Sequence, residues 1–218
     1  MAEFALYNYF RSSASYRVRC ALHLKGIDFE YRPIHLLEGG GQQHQASYRD
    51  INPAREVPTL AHQGRLIGQS MAILEYLEEV AAGPRLFPQD PYQKALVRQF
   101  CENINCLQPL QNLRTIQYLT AVAGLSETQK QNWLHEWFSR NAETLEATLR
   151  QHAGEYCFGD TVTAADCFLA PQVFAAKRFN FDFSKYPQIT RVNANLERLT
   201  AFIKAHPHKQ VDTPAELR

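Results

Sequence analysis

Residues 81–91, Ala-Ala-Gly-Pro-Arg-Leu-Phe-Pro-Gln-Asp-Pro, concentrate three prolines and a glycine, and no other stretch constrains the fold as strongly. Proline fixes φ and removes an N–H donor, so neither a strand ladder nor a helix runs through such a segment. Before it the apolar residues change period several times. Beyond it no convincing strand run occurs, and a helical period marks the apolar stripes. The chain therefore reads as an α/β domain over residues 1–82 and an all-α domain over 88–218, joined by a linker.

Within the first domain, residues 4–9 (Phe-Ala-Leu-Tyr-Asn-Tyr) predict a strand, and Val18, Ala21 and Leu22 mark one face of a helix that starts after Ser12 and Ser13. Lys25-Gly26 stops that helix, and residues 28–34 form a second extended run before the triplet Gly39 to Gly41. After a polar segment around Gln42 to Tyr48, Val57 to Leu60 and Arg65 to Ile67 flank Gln63-Gly64 and read as a hairpin. Ile73, Leu74, Leu77 and Val80 then give a helix with its apolar side toward the sheet. The order is βαβαββα.

In the second half Trp133, Trp137, Leu145 and Leu149 predict one helical stripe, and Leu196, Leu199 and Ile203 another. Ser126-Glu-Thr-Gln129 and Thr163-Ala-Ala-Asp166 carry the spacing of capping boxes, in which the first hydroxyl and the fourth side chain satisfy backbone N–H groups reciprocally. These are structural signals.

Charge and cysteine usage narrow the function. Twenty-three basic and 22 acidic residues leave a net charge of +1, which gives no electrostatic footprint for nucleic acid or an anionic membrane. No apolar run has the length of a membrane span, and Met1-Ala2-Glu3-Phe4 lacks the pattern of a secretory leader, so a soluble, unprocessed, cytoplasmic protein is expected. Five cysteines without a CxxC pair argue against a disulfide framework and a zinc site, and no histidine has metal-ligand spacing. Cys20 and Cys167 read as buried small apolar residues; His35, His206 and His208 read as loop or surface residues.

Arg11-Ser12-Ser13-Ala14-Ser15 lies where the first strand turns into the first helix. Backbone N–H groups there lack partners and the helix dipole favours negative charge. The commonest task of a serine in this place is to cap the helix, but the same position suits a thiolate, and no protein cysteine occupies it. Val57-Pro58, with a proline able to form a cis bond, leaves the Val57 backbone open to pairing. Gln69-Ser70 is a polar pair at another helix start, suited to a carboxylate. Together these features meet the needs of a γ-glutamyl-cysteinyl-glycine tripeptide.

The residue order and motifs resemble the glutathione transferases, and SSASYRVRCAL (12–22), GGQQ (40–43), NPAREVPTL (52–60), IGQSMAILEYLEE (67–79), RLFPQDP (85–91), QPLQN (108–112), YCFGDTVTAADCFLAPQV (156–173) and DTPAELR (212–218) resemble the zeta class, the maleylacetoacetate isomerase family. The resemblance spans essentially the whole chain and implies a thioredoxin-like domain followed by an all-helical one. It implies that Ser12, with Ser13 beside it, activates the sulfur of glutathione, and that Gln43, Val57, Pro58, Gln69, Ser70, Gln108 and Asn112 hold the tripeptide. Arg11, Arg114 and Arg178 are implied to clamp a dicarboxylate with a cis double bond, such as maleylacetoacetate or maleylpyruvate, by guanidinium forks.

Ala14 departs from the family pattern, standing where many members carry a cysteine, so a mechanism through a protein thiol is in doubt. A mechanism in which glutathione adds to the alkene and is expelled again, unconsumed, is untouched. The resemblance also implies a homodimer. Three other readings stay open on the residues: a transferase that conjugates or dehalogenates small electrophiles, a binding module without catalysis, and a thioredoxin-like redox protein, against which the absence of cysteine at Ala14 speaks. Arg17 and Arg19, flanking the apolar face of the first helix, read as structural or as part of a subunit interface.

Overall fold

The computed structural model describes residues 3–218; Met1 and Ala2, on which the reading of the chain's start partly rests, lie outside them. Two compact units divide the chain. One comprises the residues up to Leu86 together with Arg198–Arg218, the other Phe87–Glu197.

The first unit is built on a four-stranded sheet in the order β2-β1-β3-β4, with β1 Phe4–Asn8, β2 Phe29–Pro33, β3 Thr59–His62 and β4 Arg65–Gly68. β1 pairs parallel to β2 and antiparallel to β3, with Leu6 opposite both Tyr31 and Leu60. The parallel pair requires a crossover, which α1 (Ser13–Leu24) supplies. The hairpin turns at Gln63 and Gly64, both at positive φ (49° and 74°), the backbone that matches the twist of two-residue hairpins. α2 (Ala46–Arg49) is a single turn, and α3 (Ser70–Val80) follows β4. Leu6, Val18, Leu22, Leu60, Ile73, Leu74 and Leu77 are fully buried, each contributing about 1.5–3 kcal/mol of apolar burial. The expected order βαβαββα is the observed one.

Two charged residues interrupt that core. Arg17 and Arg19 are both 0% exposed within the single chain; the helical pattern alone places them only on the flank of the apolar face.

The second unit is helical: α4 Pro91–Leu107, α5 Leu113–Ala121, α6 Glu127–His152, α7 Ala164–Lys177 and α8 Pro187–Leu196. On α6 the buried stripe is Leu134, Phe138, Ala142, Leu145 and Leu149, with Trp133 and Trp137 half-buried beside it. The stripe is thus offset by about one residue from the expected one at its N-terminal end. Glu146 of α6, itself buried, accepts from the Gln188 and Ile189 N–H groups at 3.0 and 3.1 Å, so a carboxylate satisfies the start of α8.

The stripe expected over Leu196, Leu199 and Ile203 is not one helix. α8 ends at Leu196, Leu199 is extended (φ −76°, ψ 131°), and α9 (Thr200–Ala205) begins anew with Ile203 46% exposed. The break falls where the chain passes from one unit to the other, and Arg198–Arg218 group with the first unit. Among the described residues no helix is long and apolar enough to cross a membrane.

Candidate functional site

Ser12 is the N-cap of α1. Its backbone is extended (φ −68°, ψ 122°), its N–H donates to Tyr9 C=O at 3.1 Å, and its Oγ accepts from the Ser15 N–H at 3.2 Å. Capping and anion binding are compatible here, because a hydroxyl that accepts one hydrogen bond still has its own proton to donate. Beyond the cap, the N–H groups of Ser13 and Ala14 have no acceptor among the described residues. Ser12, Ser13 and Arg11 are half-buried, and the Arg11 guanidinium lies 5.7 Å from the centre of the Phe10 ring. Ser15 is fully buried and its Oγ accepts from the Tyr9 N–H at 3.4 Å, which ties the turn to the helix.

The start of α3, in the same unit, has no side-chain cap at all. Gln69 precedes it at φ 64° and ψ 115°, outside the regions ordinary L-residues adopt, with its side chain exposed and making no cap. Ser70 is buried and its Oγ accepts from Arg17 Nη1 at 3.1 Å. A buried guanidinium thus reaches the N-terminus of α3 from α1, adding positive potential to a helix end that already favours anions.

The Val57-Pro58 peptide is cis. Tyr48 Oη and Asn52 Nδ2 both donate to Glu56 C=O, at 2.7 and 2.9 Å, and both reach Thr59 Oγ1 at 3.0 Å. Two of these contacts hold the Glu56 carbonyl and two the Thr59 hydroxyl, on either side of Val57-Pro58, and Val57's own N–H and C=O meet no partner among the described residues. Gln43 is buried; its Nε2 donates to Leu36 C=O at 3.2 Å, while its Oε1 has no donor. Gly41, at φ 97°, makes this placement possible, since a Cβ there would lie 2.5 Å from Gln43 Nε2. Ser15, Gly41 and Asn52 fall inside the motifs SSASYRVRCAL, GGQQ and NPAREVPTL, but the sequence assigned none of them, nor Tyr48, a part in the site.

The remaining candidates lie on the helical unit. Gln108 opens a 3-10 turn and is half-buried; Asn112 is the N-cap of α5, with Oδ1 accepting from Thr115 N–H at 2.9 Å. Arg114, on the first turn of α5, and Arg178, the C-cap of α7, are both exposed, and the Arg178 guanidinium lies 5.3 Å from the Phe179 ring centre. In the same unit Gln111 accepts through Oε1 from Gln172 Nε2 at 3.2 Å.

No protein thiol competes for chemistry at α1. Cys20 is fully buried and burial pushes its thiol far above the ordinary range; Cys157 is raised likewise, by burial first and then by Asp166. Among the described residues no group of three or more His, Cys, Asp or Glu is placed to hold a metal ion.

Glutathione fits the residues present. The orphaned buried oxygen of Gln43 can take an N–H, the unladdered Val57 peptide can pair with an extended backbone, the start of α3 can take a carboxylate, and the start of α1 can take a sulfur anion. Fold and site define a thioredoxin-like protein that binds a thiol peptide. The glutathione S-transferase N-terminal domain model matches residues 6–85 and the C-terminal domain model residues 132–205.

Maleylacetoacetate isomerase of Rattus norvegicus is 48% identical over 98% of this chain and 96% of its own length. A bacterial maleylpyruvate isomerase of the zeta class, solved in its holo form, superposes with a TM-score of 0.93 at 38% identity, covering 96% of this chain and all of the other. Maleylacetoacetate isomerase from Methylobacterium extorquens AM1, solved with malonate and GSH bound, gives 0.92 at 35% identity over 97% of this chain and all of its own. The chain belongs to the maleylacetoacetate isomerase family of zeta-class glutathione transferases.

Proposed function

We propose that this chain is a glutathione-dependent cis-trans isomerase of maleylacetoacetate, or of a close analogue such as maleylpyruvate, in the breakdown of aromatic compounds. The observation that carries the reading is the start of α1, where Ser12 caps the helix through its oxygen while its proton and the Ser13 and Ala14 N–H groups face no protein partner. Glutathione, when bound, supplies the thiol that adds reversibly to the conjugated alkene and so permits rotation about it.

The chain's own residues do the rest. Ser12 donates to the sulfur and, with the N–H groups behind it, favours the thiolate form. Gln43, Val57, Pro58, Gln69 and Ser70 hold the tripeptide, with Arg17 supporting the carboxylate at Ser70; Gln108 and Asn112 add polar contacts. Arg11, Arg114 and Arg178 bind the substrate carboxylates and stabilise charge that develops on the substrate during the reaction. The active form is a homodimer and acts in the cytoplasm.

The test is to incubate the purified protein with maleylacetoacetate and with maleylpyruvate, with and without glutathione, while following the glutathione concentration. Turnover that needs glutathione and leaves its concentration constant is expected. Stoichiometric loss of glutathione, or no turnover of either compound, overturns the reading in favour of conjugation or of binding alone.

A further inference from the structure

The peptide of Phe10, two residues before Ser12, is gripped from both sides. Its N–H donates to Asp212 Oδ2 at 2.9 Å and its C=O accepts from Arg19 Nη2 at 2.9 Å. The same guanidinium donates to Asn8 Oδ1 at 2.9 Å, to Tyr9 C=O at 3.3 Å and to Ala205 C=O at 3.0 Å. Tyr31 Oη donates to the other carboxylate oxygen of Asp212. Burial works against the charge of Arg19, and Asp212 is the carboxylate among the groups that support it.

Asp212 arrives by way of a segment that holds its own shape. Gln210 Nε2 donates to Lys204 and His206 C=O at 2.8 Å each, Thr213 Oγ1 to Pro207 C=O at 2.6 Å, and Arg218 Nε to Thr213 C=O at 3.0 Å. The carboxylate is therefore presented ready-made to the turn.

We propose that Asp212 is a positioning residue for Ser12: acting with Arg19 through the Phe10 peptide, it sets where the Ser12 hydroxyl and the N–H groups behind it point. This rests on the reading of Ser12 as the residue that meets the glutathione sulfur. A loosened Phe10 peptide lets the Ser12 donor stray from the sulfur, and a misplacement of about 1 Å is enough to cost a reaction on the order of 100-fold.

Two variants test it. Asp212→Ala removes both acceptors. Asp212→Asn can turn its oxygen to the Phe10 N–H and its NH2 to Tyr31, so it keeps the bonds but loses the charge that strengthens them. In the protein without glutathione, amide exchange of Phe10 and Ser12 is expected to quicken by about tenfold or more in the Ala variant, and less in the Asn variant, while Leu6 in β1 stays protected. With glutathione, kcat falls by about tenfold or more at nearly constant KM for glutathione, and the acid limb of the rate moves to higher pH. Where Asp212→Ala does not fold, Asp212→Asn carries the same readouts.

Unchanged Phe10 exchange and an unmoved acid limb overturn the proposal, as does equal quickening of Phe10 and Leu6, which marks a merely structural residue. Ser12→Ala run in parallel separates the two readings. An inactive Ser12→Ala beside an unperturbed Asp212→Ala sinks the positioning role alone. A fully active Ser12→Ala sinks the role of Ser12 and this proposal with it.

Discussion

The starts of α1 and α7 are made of the same kinds of residue and left in opposite states. At α7, Thr163 donates to Asp166 Oδ2 through its N–H at 2.8 Å and its Oγ1 at 3.2 Å, and the Cys157 N–H donates to Oδ1 at 2.9 Å; the carboxylate is 0% exposed. Burial raises the Asp166 pKa, and the bonds from Thr163 and Cys157 work in the other direction. At α1, Ser12 makes one capping bond and the next two N–H groups are left over. Capping spacing is therefore no guide to binding. What distinguishes a site is the set of donors that remains once the cap is made, and whether solvent can reach them.

The difference can be broken from either end. Asp166→Ala strands three buried donors, and unfolding should become easier by about 3 kcal/mol or more, while glutathione affinity of the folded fraction stays constant; denaturant titration and calorimetry read the two. A comparable loss of affinity would mean that the α7 start is no purely structural element. Ser12→Ala should reverse the pattern. Turnover is expected to drop about 100-fold, or about 2.7 kcal/mol of activation free energy, with a stability loss nearer 1 kcal/mol for the cap. Steady-state rates and thermal melting together decide it, and a variant that loses only stability would make Ser12 another α7-type cap.

The start of α6 supplies the mildest case. Ser126 and Gln129 form a reciprocal box on the exposed surface, at 2.9 and 3.3 Å. Ser126→Ala is expected to cost about 0.5–1 kcal/mol and to leave catalysis alone, which ranks exposed caps below buried ones by melting temperature.

Much of this was legible in the sequence because local rules govern it. The change of period at residues 81–91, the hairpin at Gln63-Gly64 and the helix start at Ser12 each depend on neighbours within a few positions. Arg17 and Arg19 were not legible as core residues, because what admits them is Ser70, Phe10 and Ala205, which no periodicity connects to them. The broken stripe at Leu196, Leu199 and Ile203 has the same origin: a helical spacing survives there although the chain changes units at Arg198. For the candidate site, Ser12, Val57-Pro58 and Gln69-Ser70 stood out from their chemistry. Gln43 and the three arginines came only through resemblance, since a glutamine's buried orphan oxygen is a property of the folded loop.

The return of residues 198–218 to the first unit has a consequence for the order of synthesis. A nascent chain that has emerged through Leu86 contains every strand of the sheet, yet Asp212 and Ala205, which hold Phe10 and Arg19, have not been translated. Such a chain lacks the Ala205 acceptor of Arg19 and the Asp212 acceptor of the Phe10 N–H. Ser12 should acquire its final setting only after ribosomes have passed codon 212, so a stalled or prematurely terminated product would carry the sheet without a finished α1 start.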